Sequence, residues 1–292
     1  PLHRVQVSAS DTARVPNASA TAASSGTDLN GRAAQYAARN VRTNLAAFVA
    51  GLDGCGAGEV QLVCGTPPGA PADAPPVGLV VSPHTTRTFD SVVQAAYANR
   101  IQLWSDGFYR TPKIHYDKTT LTGRPFYYFA YGAACTEVAI DTLTGESRVL
   151  AVDILHDVGH SINPALDIGQ IEGAFVQGMG WLTTEELVWA APDTERNPGA
   201  LLTRAPSTYK IPAAGDVPEH FKVTLWPEAN QEDNVGGSKA VGEPPFMLGI
   251  SVWEAIRDAV AQARSKAGLS GPVTLDAPAT AERVLWAVQA TH

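Results

Sequence analysis

The stretch EVAIDTLTGESRVLAVDI, residues 137–154, decides the fold. Residues 137–141 and 147–154 are mostly apolar, and the larger side chains Val138 and Ile140, then Leu150, Val152 and Ile154, recur at every second position, which is the period of a strand. Between them, residues 142–146 carry the polar residues and the glycine of a tight turn. The stretch therefore predicts a β-hairpin. Residues 126–131 and 221–226, rich in aromatic and β-branched side chains, predict two further strands.

Amphipathic helices are predicted on both sides of this hairpin. Apolar residues recur at three- and four-residue steps in four segments, namely 34–49, 89–97, 245–260 and 284–288. Asn163 followed by Pro164 is typical of a helix N-terminus and opens a fifth helix. Strands are also predicted at 5–7 and 60–63, while prolines exclude regular structure from the connector at 67–76. Because helices and strands mix without strict βαβ alternation, the predicted fold class is α+β.

Composition excludes several classes of protein. The chain has 292 residues, 21 basic and 29 acidic, and a net charge of −8 without a basic cluster, which argues against nucleic-acid binding. Only 17% of the residues are charged, against roughly 25% in a typical soluble domain, so we expect part of the surface to be covered. The sequence has neither a run of about 18 apolar residues nor a signal peptide, which predicts a cytoplasmic protein without a membrane span.

Few residues indicate a protein-ligated metal. The three cysteines, Cys55, Cys64 and Cys135, form no C-x-x-C pair, so a cysteine-held iron–sulfur cluster or zinc site is not expected and the compartment is predicted to be reducing. The histidines never recur at helical spacing with a carboxylate. We interpret His156 and His160, on either side of Asp157, as ordinary loop polarity.

Two glycine-containing segments suggest a ligand. Small residues at 22–26 precede a helix, where backbone N–H groups attract anions, although simple helix capping explains the same residues. Gly169 and Gly173 lie four apart in the helix that begins at Pro164. Each glycine costs roughly 0.8–1 kcal/mol of helix stability, so we expect another backbone or a flat ligand to approach them closely.

Glu243 is the candidate acid. Gly242 and Pro244 flank it, and the residue before a proline is biased towards extended backbone. The carboxylate could cap the helix that follows, or it could act as a general base, for which burial would have to raise its pKa. The residues alone leave both alternatives open.

Several motifs together resemble the xanthine dehydrogenase family of molybdenum hydroxylases, in the C-terminal part of its molybdopterin-binding region and of the bacterial type. The resemblance spans residues 1–292 in order. It is carried by PNASATAAS at 16–24, GFYRTP at 107–112, NPALDIGQIEGAFVQG at 163–178, PSTYKIP at 206–212 and KAVGEPP at 239–245.

This resemblance implies a fold and a set of site residues. The fold would be the mixed helices and sheets of the molybdopterin-binding domain. Glu243 would be the catalytic base that takes a proton from a Mo–OH group, while hydride passes to Mo=S. Molybdenum would be held by the pterin dithiolene rather than by side chains. The implied cofactor contacts are Ala23, Ser24, Ser25, Gly26, Thr27, Gln170 and Gly242, and Ala22 and Ala23 would border the substrate.

The resemblance also implies partners. FAD and 2Fe-2S clusters would lie elsewhere in a dimeric assembly that passes electrons from hypoxanthine or xanthine to NAD. The upstream part of the molybdopterin-binding region would be on a separate or divided chain, through a nick, a split of one polypeptide or a separate subunit. Because the family's purine-reading residues are upstream, a related aldehyde or N-heterocycle hydroxylase stays open. A non-catalytic interaction module that retained the fold also stays open.

Overall fold

The computed structural model describes residues 1–8, 11–14, 20–71, 73–193 and 197–290, and the chain divides into two compact units. Unit 1 is Pro1–Pro112 and unit 2 is Lys113–His292. Both units combine helices with antiparallel strand pairs, so the predicted α+β class is confirmed. The connector at 67–76 lies inside unit 1, where its described residues form turns and irregular backbone.

Unit 1 packs two helices against a three-stranded sheet. The sheet is antiparallel in the order β1 (Gln61–Gly65), β2 (Val77–Val81), β3 (Thr86–Thr88). Helices α1 (Arg32–Asp53) and α2 (Phe89–Ala98) match the two predicted amphipathic segments. The buried residues of the core come from both helices, β2 and the residue before β1: Leu45, Val49, Val60, Val80, Val92 and Ala96.

Unit 2 contains a β-hairpin and a three-stranded sheet. The hairpin joins β4 (His115–Asp117) to β5 (Thr122–Arg124). In the sheet, β6 (Gly132–Ile140) runs antiparallel to β7 (Ser147–His156), and β8 (His220–Leu225) runs parallel to β7. The predicted hairpin at 137–154 is therefore confirmed.

Three helices cover this sheet. Helix α3 (Pro164–Thr183) begins at Asn163, whose side chain accepts the N–H of Leu166, as the sequence predicts. The others are α4 (Ile250–Lys266) and α5 (Ala281–Gln289). No helix in the described ranges has the length and apolar character needed to cross a membrane. The buried core lies between β7, α3 and α4: Val152, Ile154, Ile171, Phe175, Val252, Ile256 and Val260.

Three predicted elements differ from the structure. Residues 126–131 form no strand, because their backbone pairs with no neighbouring strand and their aromatic rings pack on one another instead. Residues 5–7 likewise lie in irregular backbone after a single 3-10 turn, Leu2–Arg4. The helix expected from 245 begins as a 3-10 helix, Pro244–Gly249, and becomes α-helical only at Ile250.

Candidate functional site

The small-residue segment of unit 1 forms a tight turn at the head of α1. The N–H and the hydroxyl of Ser25 both donate to the carbonyl of Ala22, at 3.2 and 2.7 Å. The two central residues, Ala23 and Ser24, have φ angles of 53° and 52°, which L-residues rarely adopt. Each such residue costs of order 1–2 kcal/mol, and strain of this kind concentrates at functional sites.

This turn leads directly into helical backbone. A π-helical turn, Thr27–Gly31, follows Gly26 and continues into α1. The first N–H groups of a helix have no intrahelical acceptor, so those of Gly26 and Thr27 are available to an anionic group. The N-cap residue, Gly26, has no side chain with which to cap this end of the helix, and the hydroxyl of Ser25 donates to the carbonyl of Ala22.

Glu243 lies in unit 2 at the N-cap position of the 3-10 helix Pro244–Gly249. Its side chain is exposed and makes no capping hydrogen bond. Among the described residues, no hydrogen bond or ion pair engages this carboxylate. Capping by the Glu243 side chain is thus excluded, and the described residues leave this carboxylate unburied.

The backbone of Glu243 is not extended, contrary to the prediction from Pro244. Its φ and ψ are −102° and −37°, in the helical region. The physical reason is the first turn of the 3-10 helix, in which the carbonyl of Glu243 accepts the N–H of Phe246 at 3.0 Å. That hydrogen bond outweighs the steric bias of a residue before proline.

Helix α3 exposes the stripe that contains Gln170. Gly169, Gln170 and Gly173 are all exposed, and a Cβ built on either glycine would meet nothing within 4 Å. The backbone expected to approach these two glycines is therefore absent from the described part of the chain. The stripe is open to a ligand or to another protein segment.

A close backbone approach does occur farther along α3. A Cβ on Gly178 would stand 2.1 Å from the carbonyl oxygen of Phe246, and one on Gly249 would stand 2.5 Å from the carbonyl carbon of Gly178. The two glycines thus let α3 and the 3-10 helix after Glu243 pack backbone to backbone. Gln170 precedes this contact by eight residues, about 12 Å along the helix axis.

The sequence-predicted residues fall into two groups. Ala22, Ala23, Ser24, Ser25, Gly26 and Thr27 share one turn in unit 1. In unit 2, Gln170 lies on α3, and Gly242 and Glu243 lead into the 3-10 helix that packs on it. Within the described ranges, no three His, Cys, Asp or Glu side chains converge as metal ligands.

Two residues at the end of β7, His156 and Asp157, have roles that the sequence interpretation missed. His156 is not loop polarity, because it is fully buried on the core face of β7, two residues after Ile154. Burial lowers the pKa of His156 below its ordinary value of 6.5. Asp157 forms an ion pair with Lys239, four residues before Glu243. The alternation Val152, Ile154, His156 was the signal that could have revealed the buried histidine.

A family model described as "Molybdopterin cofactor-binding domain" matches residues 1–218. The chain is also 42% identical over 285 residues to "Xanthine dehydrogenase" of Oryza sativa subsp. japonica. It is 40% identical over 284 residues to "Xanthine dehydrogenase/oxidase" of Gallus gallus. Each alignment covers 97% of this chain but only 18% of the relative, so the chain spans less than a fifth of the length of these proteins.

Solved structures of similar fold are more distant in sequence. The Cu,Mo-CO dehydrogenase in its carbon monoxide reduced state matches with a TM-score of 0.68 and 20% identity, over 94% of this chain and 31% of that one. Quinoline 2-oxidoreductase from Pseudomonas putida 86 matches with a TM-score of 0.66 and 24% identity, over 92% and 30%. At these identities, the matches support the fold alone.

Proposed function

This chain belongs to the molybdopterin cofactor-binding domain family, and from that membership we propose that it forms part of the molybdenum site of a xanthine dehydrogenase. The reaction is the oxidative hydroxylation of hypoxanthine and xanthine to urate, with Glu243 as general base. The observation that carries the proposal is the Glu243 carboxylate, exposed and uncapped at the head of a helix that is packed backbone to backbone on α3.

The residues of this chain fit a molybdenum-pterin cofactor. The strained turn at 22–25 presents small side chains and the first N–H groups of a helix, which suit the phosphate and the polar edges of the pterin. The stripe at Gly169, Gln170 and Gly173 is an exposed helix face on which the two glycines leave the backbone uncovered. The Gln170 amide can donate and accept hydrogen bonds there. When bound, the cofactor supplies the two-electron redox chemistry and the metal centre of the hydroxylation.

Each predicted site residue has a distinct role in this proposal. The residues that contact the cofactor in this proposal are Ala23, Ser24, Ser25, Gly26, Thr27, Gln170 and Gly242. Ala22 and Ala23 leave room for the substrate because their side chains are small. Glu243 accepts at a carboxylate oxygen the proton that hydroxylation releases, and closure of the site by other protein segments removes the water that reaches it in this chain alone.

The rest of the reaction takes place outside this chain. We place the iron–sulfur clusters, FAD and the NAD that receives the electrons in other parts of a cytoplasmic, dimeric assembly. The upstream part of the molybdopterin-binding region completes the site. The identity of 40–42% to xanthine dehydrogenases favours a purine over an aldehyde or another N-heterocycle as substrate.

The test is Glu243→Gln in the complete protein that contains this chain. We expect molybdenum and pterin content to stay at the unsubstituted level, while turnover of xanthine falls by about 10²–10⁴-fold, the usual contribution of a general base. Glu254→Gln, which breaks an exposed ion pair with Arg257 on α4, is the matched control and should change neither.

Three outcomes would count against the proposal. Normal turnover in Glu243→Gln would remove the base from the mechanism. Faster turnover of an aldehyde or of quinoline than of xanthine would transfer the substrate assignment to the related hydroxylases. A complete protein free of molybdenum and pterin would indicate an interaction module instead.

A further inference from the structure

The segment that leads to Glu243 is fixed to the end of β7 by its backbone. Ser238 forms an isolated bridge with Gly159, and the N–H of Lys239 donates to the carbonyl of Val158 at 2.7 Å. The side-chain amide of Asn230 donates to the carbonyl of Ser238 at 3.0 Å. These contacts end at Lys239. They therefore fix the point from which residues 240–243 lead to the 3-10 helix.

The Lys239 side chain adds an ion pair that is almost buried. Its Nζ pairs with Asp157 and donates to the carbonyl of Phe129 at 2.9 Å, and it lies 5.9 Å from the centre of the Tyr131 ring. The side chains of Lys239 and Asp157 are only 11% and 14% exposed. Two charges in such a place are costly to desolvate, and removal of one leaves the other uncompensated.

Tyr128 holds the next residue of the segment. Its hydroxyl accepts the N–H of Ala240 at 2.7 Å. The neighbouring backbone is fixed in turn, because Arg124 donates to the carbonyl of Tyr127 at 2.7 Å and pairs with Glu232 at 2.6 Å. Lys113 also pairs with Glu232 at 2.6 Å, and these two cations lower the pKa of that carboxyl.

The Glu243 side chain depends on these anchors because it makes no contact of its own. Gly242 has no side chain, and the Glu243 carboxylate makes no hydrogen bond or ion pair among the described residues. The backbone is therefore held at Lys239 and Ala240 on one side, and by the contact between Gly249 and Gly178 on the other. A carboxylate without contacts keeps its place only if the backbone that carries it is fixed at both ends.

We propose that Lys239 and Asp157 are positioning residues that fix the backbone of Gly242 and Glu243 for the proton transfer, with Tyr128 as a second anchor on Ala240. This inference rests on the proposed function of Glu243. It assigns a role in the reaction to a charged pair that contacts neither cofactor nor substrate in the proposal.

The experiment uses the cofactor-loaded complete protein with Asp157→Asn, Lys239→Met, Lys239→Arg and Tyr128→Phe. We expect amide hydrogen exchange to accelerate in peptides covering 238–246 in Asp157→Asn and Lys239→Met, while peptides of α4 keep their protection. The kcat for xanthine should fall by about 10²-fold with KM little changed, as for a displaced catalytic group. Molybdenum content should be retained.

Two comparisons separate positioning from general stability. Lys239→Arg should restore most of the protection and of kcat, because a guanidinium can also reach Asp157. The double variant Asp157→Asn with Lys239→Met should be no worse than the worse single one, because both remove the same pair. Glu254→Gln, on the exposed face of α4, is the matched ion-pair control and should change neither quantity.

Unchanged exchange at 238–246 in Asp157→Asn and Lys239→Met would overturn the inference. Faster exchange throughout unit 2 would also overturn it, since the pair would then stabilise the fold in general. If either variant does not fold, Tyr128→Phe decides by the same exchange measurement, because it removes a single hydroxyl. Normal turnover in Glu243→Gln would reject the proposed base. If exchange at 238–246 is nevertheless faster in Asp157→Asn and Lys239→Met, the anchoring role of the pair stays intact.

Discussion

At the scale of single residues, His156 is buried where the sequence suggested loop polarity. His156 is the third inward residue of β7 after Val152 and Ile154, and a Cβ on Gly132 would stand 2.9 Å from its ring. The Nδ1 atom of this imidazole has no hydrogen-bond partner among the described residues. An uncharged ring suits this position: burial is the largest cause of the lowered pKa of His156, Asp157 opposes it, and Lys239 adds a smaller lowering.

His156 should make unit 2 sensitive to acid. Its pKa in the folded chain is below the ordinary 6.5, so below that pH the unfolded chain binds the proton more readily and the free energy of unfolding falls. Above pH 6.5 the folded chain therefore has the full stability that an uncharged His156 allows. That stability is lost as the pH falls from 6.5 towards the pKa of His156 in the folded chain. His156→Leu should flatten the stability profile in this window, measured by urea unfolding at a series of pH values.

The matched control is His160→Gln, an exposed histidine four residues later in the loop that follows β7. That variant should keep the slope of the unsubstituted protein below pH 6.5. An identical slope in His156→Leu and the unsubstituted protein would mean that another group carries the acid sensitivity.

At the scale of elements, the glycines of α3 divide into two kinds. Gly178 is needed for the backbone contact with the 3-10 helix that carries Glu243, whereas Gly173 faces open space. Gly178→Ala should therefore destabilise unit 2 by about 1–3 kcal/mol, the usual effect of overpacking, and should loosen the 3-10 helix. Thermal unfolding and hydrogen exchange at 244–249 would measure this.

Gly173→Ala is the matched substitution on the same helix and should act in the opposite way. It should raise helix stability by about 0.8–1 kcal/mol, because alanine replaces glycine without a collision. If the open stripe contacts the cofactor, molybdenum content should fall although stability rises. A stable Gly173→Ala protein with full molybdenum content would remove the stripe from the cofactor site.

Elements with a local signal could be predicted from the sequence. Helices α1, α2 and α3 follow from apolar periodicity and from caps at Thr88 and Asn163, and the β6–β7 hairpin follows from the two-residue period of its larger apolar side chains around a glycine turn. Residues 126–131 have strong β propensity but no partner strand, and their carbonyls and hydroxyls bind Lys239, Arg124 and Ala240 instead. Pairing across a sheet is a tertiary property, so propensity alone could not exclude this strand.

The candidate site residues could be predicted from the sequence, but the ion pair that holds the segment before Glu243 could not. The turn at 22–27 and the acid Glu243 are marked by glycine, proline and small residues close to one another in sequence. Lys239 and Asp157 are 82 residues apart in sequence. They meet only because the segment that begins at residue 238 lies beside the end of β7. No local pattern indicates such a pair, and the charge of either residue alone is typical of a solvated loop.

At the scale of the whole molecule, each unit has its own hydrophobic core. The core of unit 1 is centred on Leu45, Val49 and Val80, and that of unit 2 on Phe175 and Ile256. Separate cores are what allow two parts of a chain to be described as units. The turn that begins at Ala22 belongs to unit 1 and the segment at 242–243 to unit 2, and each is supported by the core of its own unit.

The surface of the chain predicts how it behaves when produced on its own. Large apolar side chains are widely exposed, including Phe108 at 82% and Trp104 at 70% in unit 1 and Leu166 at 66% in unit 2. Exposed apolar side chains of this size favour contact with other protein segments, and few charged residues offset them. The 292-residue chain alone should therefore self-associate and bind an apolar dye, whereas the complete protein should bind little dye and should not associate beyond the proposed dimer. Sedimentation velocity at several concentrations would measure the association, and a monomer at every concentration without dye binding would mean that these side chains need no cover.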